Sequence, residues 1–433
     1  MHGSVRRLGG FRLRVGIVGA GIVGVTTAYE LAAQGHAVSV FERRASVASE
    51  TSFANAGVIA PGYVTPWSAP GMPAKVLRHL FERHAPVRFG GAGALAQLPW
   101  LWRWLRACRP EIYAANRAAM WRLAEFSRGR LLELTRTLAL DYDQMPGYLV
   151  LLRGARDLAG VQGSLAVLRE LGVAHDVVDA ARARQLEPAL NPATPLAAAI
   201  HLPQDGVGNC RHFAHLLKGH AQRLGAAFHF ERAVRSVSPG TQPVLQTADG
   251  QEQAFDAVVI CAGVEAAALL RPLGVRLPLA PIHGYSVTAP LRHVEQLSGA
   301  APRAAVMDER YKVAISRLGQ RIRVAGSAEI GGRLDHLSPA PLATLYRVLD
   351  DWFPGAGLVR EAQAWKGARP MLPDGPPVLG ESGAPGVWLN LGHGSSGWAL
   401  SSGSALVLAE RLAGREAPID LARLTVARLR HGG

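Results

Sequence analysis

Three cysteines in 433 residues, Cys108, Cys210 and Cys261, share no short spacing. That sparsity excludes a disulfide framework and a zinc pattern, and it suits a reducing cytoplasm. No stretch of about eighteen apolar residues occurs, so no transmembrane helix is predicted. The first apolar run after Arg14 is too short for the core of a signal peptide, and no A-x-A-like site precedes the glycines that follow it. Lysine is scarce: only four of the 47 basic residues are Lys, against 33 acidic residues and a net charge of +14. The arginines are spread along the chain without runs of like charge. A compositional bias, a basic face toward anionic lipid and nucleic-acid binding all remain compatible with that charge. No basic–aromatic stripe accompanies it, so a nucleic-acid partner is not expected. Hydrophobic residues make up 48% and charged residues 18%, which excludes a disordered chain. The length suits two domains, or one domain with a long insertion.

What is present begins at Val15. Val15, Ile17 and Val18 form an apolar strand, Gly19, Gly21 and Gly24 a G-x-G-x-x-G turn, and Ile22 to Gln34 an amphipathic helix ended by Gly35. A second strand, Val38 to Phe41, ends at Glu42, 23 residues after Gly19. In a dinucleotide site the first glycine makes the tight turn, the second lets the backbone approach a pyrophosphate, and the third lets helix pack on strand. The helix N-terminus then offers free N–H groups and a positive dipole end. An acid at this spacing accepts hydrogen bonds from the adenosine ribose. Gly19, Gly21, Ile22, Val23, Gly24, Glu42 and Arg43 are therefore the first predicted cofactor contacts.

Further along, residues 1–14 read as a flexible leader and 15–80 as the first part of a nucleotide-binding domain. Within it, the prolines and glycines of Ala60 to Pro73 exclude a regular helix. Residues 81–185 read as a helical and substrate region; 74–137 are mainly helical and hold Trp100, Trp102, Trp104 and Trp121. Those tryptophans suit core packing, or else a membrane interface or quinone-binding face. Tyr148 to Leu152 reads as a strand and Ala181 to Leu190 as a short helix stopped at Pro188. In 186–270, read as the second nucleotide-binding part, Asp205-Gly206 reads as a turn. Asn209 reads as the cap of a helix over Cys210 to Leu224. A strand around Val234 follows, and Phe255 to Gly263 reads as a central parallel strand. Residues 271–366 read as an antiparallel sheet with a hairpin turn at Arg317 to Gln320. Residues 367–433 return to the nucleotide fold as strand, glycine-rich loop and helix.

The motifs VGAGIVGVTTAYEL, ETSFANAGVIAPGYVTPWSAPG, RHAP at Arg83 to Pro86, GYS at Gly284 to Ser286, MDERYKVAISR, RVAGSAEI, RPMLPDG and LNLGHGSSGW together resemble the D-amino-acid-oxidase-like family of FAD-dependent oxidoreductases. They span almost the whole chain. The resemblance implies an α/β fold: a Rossmann-like FAD-binding domain with a discontinuous α+β substrate domain built on an antiparallel sheet. It implies FAD as cofactor, held non-covalently, since no Cys lies in the C-terminal loop and TSFANAG has no His. By the same resemblance Ser52, Asn55, Ala56 and Gly57 lie along the pyrophosphate and isoalloxazine. Val234 meets the adenine, and Ala262 and Gly263 flank the nucleotide. The loop Gly392, His393, Gly394, Ser395, Ser396, Gly397 supplies N–H groups and a helix dipole suited to the N1–C2=O edge of a reduced, anionic flavin. His283 stands where relatives lead one to expect Lys, and Asn209 where they lead one to expect Asp.

The implied activity is oxidative deamination of D-amino acids to 2-oxo acids and ammonia, by hydride transfer from Cα to flavin N5. The electrons would pass to a membrane quinone or other non-oxygen acceptor. The alternative is an oxygen-using glycine, sarcosine or D-amino acid oxidase, or a D-hydroxyproline dehydrogenase, of the same fold. Such chemistry needs neither metal nor covalent nucleophile, but it does need a cation for the substrate carboxylate. The planar fork of Arg suits that bidentately, and Arg369, before Pro370, is the candidate. Tyr285 and Tyr311 are hydroxyl candidates for the same carboxylate, and His393 for the flavin edge. Phe53, Tyr63 and Trp67 are candidate pocket walls, and Arg317 a second cation. The implied setting is cytoplasmic, with peripheral contact at the inner face of the bacterial plasma membrane.

Overall fold

Branched apolar residues at 15–18 and 257–260 leave no solvent-facing side, and both segments become central strands. In the computed structural model, which describes residues 12–79, 82, 84–292 and 301–430, Arg14–Val18 pairs in parallel with Ala37–Phe41 on one side and Ala257–Ile260 on the other. Val387–Leu391 extends this six-stranded sheet in parallel, Val378–Glu381 closes one edge antiparallel, and Ala227–His229 forms the other edge. The helices Ile22–Ala33 and Gly397–Leu412 pack against it and against each other. A three-stranded antiparallel sheet, Val234–Ser238, Val244–Thr247 and Glu252–Ala254, adds Val237 and Leu245 to the opposite core. Arg83 of the RHAP motif and residues 1–11 of the expected leader lie outside the described residues.

The second body is a ten-stranded sheet. Its main order is Gln363–Met371, Ala280–Pro290, Arg321–Ile330, Val313–Leu318, Ala305–Asp308, Met145–Leu152, Ala198–Val207 and Val58–Ile59. The hairpin turn at 317–320 forms as expected, with Gly319 at φ 59°. The sheet is mixed rather than antiparallel throughout: Ala305–Asp308 runs parallel to Met145–Leu152, and Arg321–Ile330 parallel to Val87–Phe89. A helix over Pro339–Trp352, inside the stretch read as strands, covers one face with Leu345, Val348 and Trp352.

Pleating assigns the other face. Residues 282, 284, 286 and 288 share a face with 369, 367, 365 and 363 on the neighbouring strand, because side chains alternate along each strand. Tyr285 and Val287 point into the helix-covered core. Gly284 and Arg369 lie on the opposite side, where a Cβ on Gly284 would sit 2.2 Å from Arg369 Nη2.

Several expectations are corrected. Asp205-Gly206 is no turn: the strand Ala198–Val207 runs through it, with Gly206 opposite Pro146 and Ile59. Gly206 is needed for close approach instead, since a Cβ there would be 2.6 Å from Met145 O. That strand also places 198–207 in the large sheet, so the span 186–270 divides between the two bodies. Gln363–Met371 likewise crosses the expected boundary at 366. The helix Met72–His79 starts inside the segment read as non-helical, with Pro73 in its first turn, where a missing N–H costs nothing.

Asp205 carries a pH prediction. It is buried, its Oδ2 has no partner, and burial pushes its pKa up to about 7. The folded chain thus holds this proton more tightly than the unfolded chain, whose Asp titrates near ~3.9. Stability from this group is present at low pH and is lost as pH rises from about 4 to about 7. Asp205→Asn is expected to raise the melting temperature by several degrees at pH 8 and by little at pH 4.5. Equal shifts at both pH values in thermal unfolding contradict this.

Candidate flavin and substrate site

The glycine turn is built by contact as much as by conformation. Gly19 has φ 99°, and a Cβ on Gly24 would sit 1.9 Å from Gly19 O, so neither position admits a side chain. Gly21 differs. Its nearest neighbour on the Cβ side is Ser52 Oγ at 3.5 Å, which leaves an approach to the helix start. Ser52 Oγ accepts from Ile22 N at 3.0 Å, and Gly21 has no capping side chain. Glu42 braces the turn: Oε2 accepts from Ala20 N and Oε1 from Arg44 N, both at 2.8 Å. A carboxylate has further lone pairs for a ribose hydroxyl. Arg43 pairs with Glu50 and Glu265. Burial opposes ionisation of Glu50, but Arg43 and Arg44 outweigh it and hold its carboxyl below the usual range.

The C-terminal loop converges on the same region. Thr26 Oγ1 contacts Ser401 O at 3.2 Å. Each residue lies one turn inside its helix, so the starts of Ile22–Ala33 and Gly397–Leu412 are both within about 6 Å of that contact along their axes. Ser396 adds no side-chain cap, so a second positive helix end is open. Gly392 and Gly394 take φ 79° and 56°, and His393 bridges to Met371 on the Arg369 strand. Ser404 Oγ donates to Ser401 O, so its 3.0 Å contact with His393 Nε2 is a hydrogen bond from the ring. Burial pushes the His393 pKa down to about 3, and the imidazole is neutral at physiological pH.

Arg369 lies across the sheet from Ile282. Its Nη1 donates to Ser327 O at 2.9 Å, and its guanidinium carbon is 5.9 Å from the Trp67 ring. Among the described residues no carboxylate pairs with it, and burial lowers its pKa to about 10. A buried cation without a counter-charge is costly, so the site favours an anion. The strand is pinned on both sides, by Thr51 Oγ1 to Ala368 O at 2.6 Å and Trp100 Nε1 to Met371 O at 3.0 Å. TSFANAG is tied to the same face: Arg323 Nη1 donates to Asn55 O at 3.0 Å, Ser316 Oγ to Ala56 O at 2.7 Å, and Gly57 N to Asn55 Oδ1 at 3.0 Å.

Two predicted residues are not brought to Arg369. Tyr285 is buried on the helix side, donates to Glu329 Oε2 and lies under Lys366. Tyr311 has the guanidiniums of Arg153 and Arg347 over its ring, at 5.1 and 5.6 Å. Tyr63 is bonded to Glu309 at 2.6 Å and to Lys312 at 2.8 Å, and Arg317 Nε donates to Gly319 O in its own hairpin. His283, buried with Nδ1 unpartnered, shares the Tyr285 face. Burial and the Lys366 charge push its pKa down. Val234 opens its strand, and Ala262 and Gly263 follow the central strand Ala257–Ile260 beside Gly19. Reading by sequence passed over Arg323 and Trp365. Their signal was parity, since each shares the face of Arg369.

An approach at Gly21, two helix starts whose own N-cap residues add no side-chain bond, a carboxylate at the second strand's end and a loop bonded to the substrate sheet fit a dinucleotide flavin. The family described as FAD dependent oxidoreductase matches residues 14–411. A D-amino acid dehydrogenase of Cereibacter sphaeroides is 44% identical over 420 residues, covering 96% of this chain and 95% of the relative. One from Rhizorhabdus wittichii is 42% identical over 419 residues, covering 96% and 100%. Glycine oxidase from Geobacillus kaustophilus superposes with a TM-score of 0.75 at 23% identity, covering 96% of this chain and 99% of that one, a likeness of fold. With a match over nearly its whole length, this chain belongs to the FAD-dependent oxidoreductase family, and FAD is its cofactor.

Proposed function

We propose that the protein oxidatively deaminates D-amino acids and passes the electrons to a non-oxygen acceptor of the quinone class. The observation that carries the reading is Arg369, an enclosed guanidinium without an acidic partner among the described residues, on the sheet face to which the flavin-side loops are tied. The names of the two relatives support the D-amino acid. When bound, FAD supplies the two-electron oxidation. Arg369 would hold the substrate carboxylate, with Trp67 closing one side, and so fix the direction of Cα–H. The two helix starts favour negative charge developing beside them. Neutral His393, held by Ser404, adds no competing cation. Anaerobic addition of D-amino acids should bleach the visible flavin band while their L-isomers do not, and air should restore it slowly. Bleaching by L-isomers alone, or by none, contradicts the substrate; fast return in air contradicts the acceptor.

Peripheral contact with an anionic membrane is part of this proposal. No helix among the described residues is long and apolar enough to cross a bilayer. The helix Leu98–Ala107 instead turns Trp100 and Trp104 inward, while Leu98 at 55% and Trp102 at 51% exposure face outward, one turn apart. Leu95, just before this helix, is also exposed, at 67%. Arg106 stacks on Trp102 at 4.6 Å. Exposed aromatic and aliphatic groups beside an arginine suit a headgroup boundary. The double variant Trp102→Ser/Leu98→Ser is expected to lose at least tenfold in sedimentation with phosphatidylglycerol vesicles. Unchanged sedimentation contradicts the assignment.

A further inference from the structure

A cavity of about 320 Å³ opens on the Arg369 face of the large sheet. It is lined by Trp365 of the Arg369 strand, Thr288 and Arg323 of the next two strands, Arg321 at the hairpin, Phe53 of TSFANAG and Arg211 in the first turn of Cys210–Arg223. Three guanidiniums therefore meet around one hollow, and among the described residues none of them pairs with a carboxylate. Arg323 spends Nε on Thr288 Oγ1 and Nη1 on Asn55 O, both uncharged acceptors. Arg211 lies over the Phe53 ring at 4.3 Å, and its buried Nε has no partner. Burial, together with repulsion from Arg321 and Arg211, pushes the Arg323 pKa down to about 10. The one lining carboxylate, Asp143, accepts from Asn209 at 3.0 Å. Phe53 and Trp365, with ring centroids 6.5 Å apart at 31°, add an aromatic wall.

Cations crowded round a partly apolar hollow call for an anion with a flat apolar body. Its position is equally informative. Phe53 and Ala54 of its wall run directly into Asn55 and Ala56, which the family resemblance places along the isoalloxazine, and Arg323 both lines the cavity and holds Asn55. We propose that this cavity is a second ligand site, distinct from Arg369, that takes a planar anionic quinone as the electron acceptor. This rests on the amino-acid oxidation proposed above. The amino acid loses two electrons and two protons in becoming the imine, the quinone gains both pairs in becoming the hydroquinone, and water then releases the 2-oxo acid and ammonia.

The test uses 1,4-naphthoquinone-2-sulfonate and its uncharged analogue 2-methyl-1,4-naphthoquinone on the FAD-loaded enzyme. Binding to oxidised enzyme is read by calorimetry, and reoxidation of dithionite-reduced enzyme by stopped flow, so neither arm depends on amino-acid turnover. The Arg211→Gln/Arg321→Gln variant is expected to bind the sulfonate at least tenfold more weakly and to be reoxidised by it correspondingly more slowly. Its response to the uncharged quinone and its reduction by D-alanine should be unchanged. Rising salt should reproduce the loss in the wild type. Undiminished sulfonate binding in the variant overturns the proposal, as does weakened binding with unchanged reoxidation. Failure of D-alanine to reduce the wild type would count against the amino-acid reading alone.

Discussion

Arg369→Ala is expected to lower the second-order rate constant for flavin reduction by an amino acid at least a hundredfold while FAD stays bound. A hydrogen bond to a charged group contributes about 1.5–3 kcal/mol, and a guanidinium can give a carboxylate two. About 3 kcal/mol corresponds to a loss on the order of 150-fold. Stability should move the other way. Among the described residues Arg369 has a backbone carbonyl and an aromatic ring as neighbours but no counter-charge, so truncation removes an uncompensated buried cation, and the melting temperature should hold or rise. Arg369→Lys keeps the charge without the fork and should recover part of the rate. Stopped-flow reduction and thermal unfolding of the same preparations check both halves. An unchanged reduction rate, or a rate loss matched by a lower melting temperature, contradicts the assignment.

Asp308→Ala should do the reverse, with a large loss of stability and little change in chemistry. Asp308 is fully buried on the helix side of the sheet. Its Oδ2 accepts from Arg153 Nε and Trp352 Nε1, both at 2.7 Å, and Oδ1 from Tyr311 N at 3.2 Å. Arg153 keeps a second partner in Asp351, also at 2.7 Å. Breaking a buried pair by removing one member costs about 3–5 kcal/mol, and here an indole N–H is orphaned as well. The variant should unfold at markedly lower denaturant. Well below its melting temperature it should be reduced by the amino acid within about twofold of wild type, because Asp308 and Arg369 lie on opposite faces. Asp308→Asn keeps one acceptor oxygen, enough for Trp352 or for Tyr311 N but not for both, and should fall between. A stability change under about 1 kcal/mol contradicts the network's role.

The nucleotide half was legible because its signals are local. Gly19, Gly21, Gly24 and Glu42 sit at spacings that one strand–turn–helix imposes, and the branched run at 257–260 has no polar side to mislead. The large sheet was harder for a physical reason. In APIHGYSVTAP, Ala280–Pro290, both faces are covered and nearly every residue is buried, so no apolar–polar contrast shows which parity faces the site. Tyr285 therefore reads as a plausible ligand one residue from the correct face. Asp205-Gly206 carries turn chemistry, yet long-range pairing with Met145 and Pro146 overrides it. The helix at 339–352 did carry a signal, since Leu342, Leu345, Leu349 and Trp352 recur at helical spacing. The three-arginine cavity joins residues 53, 211, 288, 321, 323 and 365; parity relates Arg321 to Arg323 and Trp365 to Arg369 within their strands, but nothing local joins the separate segments.

The most direct test of the account compares anaerobic flavin reduction by D-alanine with that by D-alaninamide, in wild type and in Arg369→Ala. The amide keeps Cα–H and the amine but lacks the carboxylate. The substitution is expected to slow D-alanine at least a hundredfold and D-alaninamide by less than about threefold, a coupling that isolates the contact. Equal losses for both substrates would show that Arg369 supports the site without touching the carboxylate, and the anion would have to be held elsewhere.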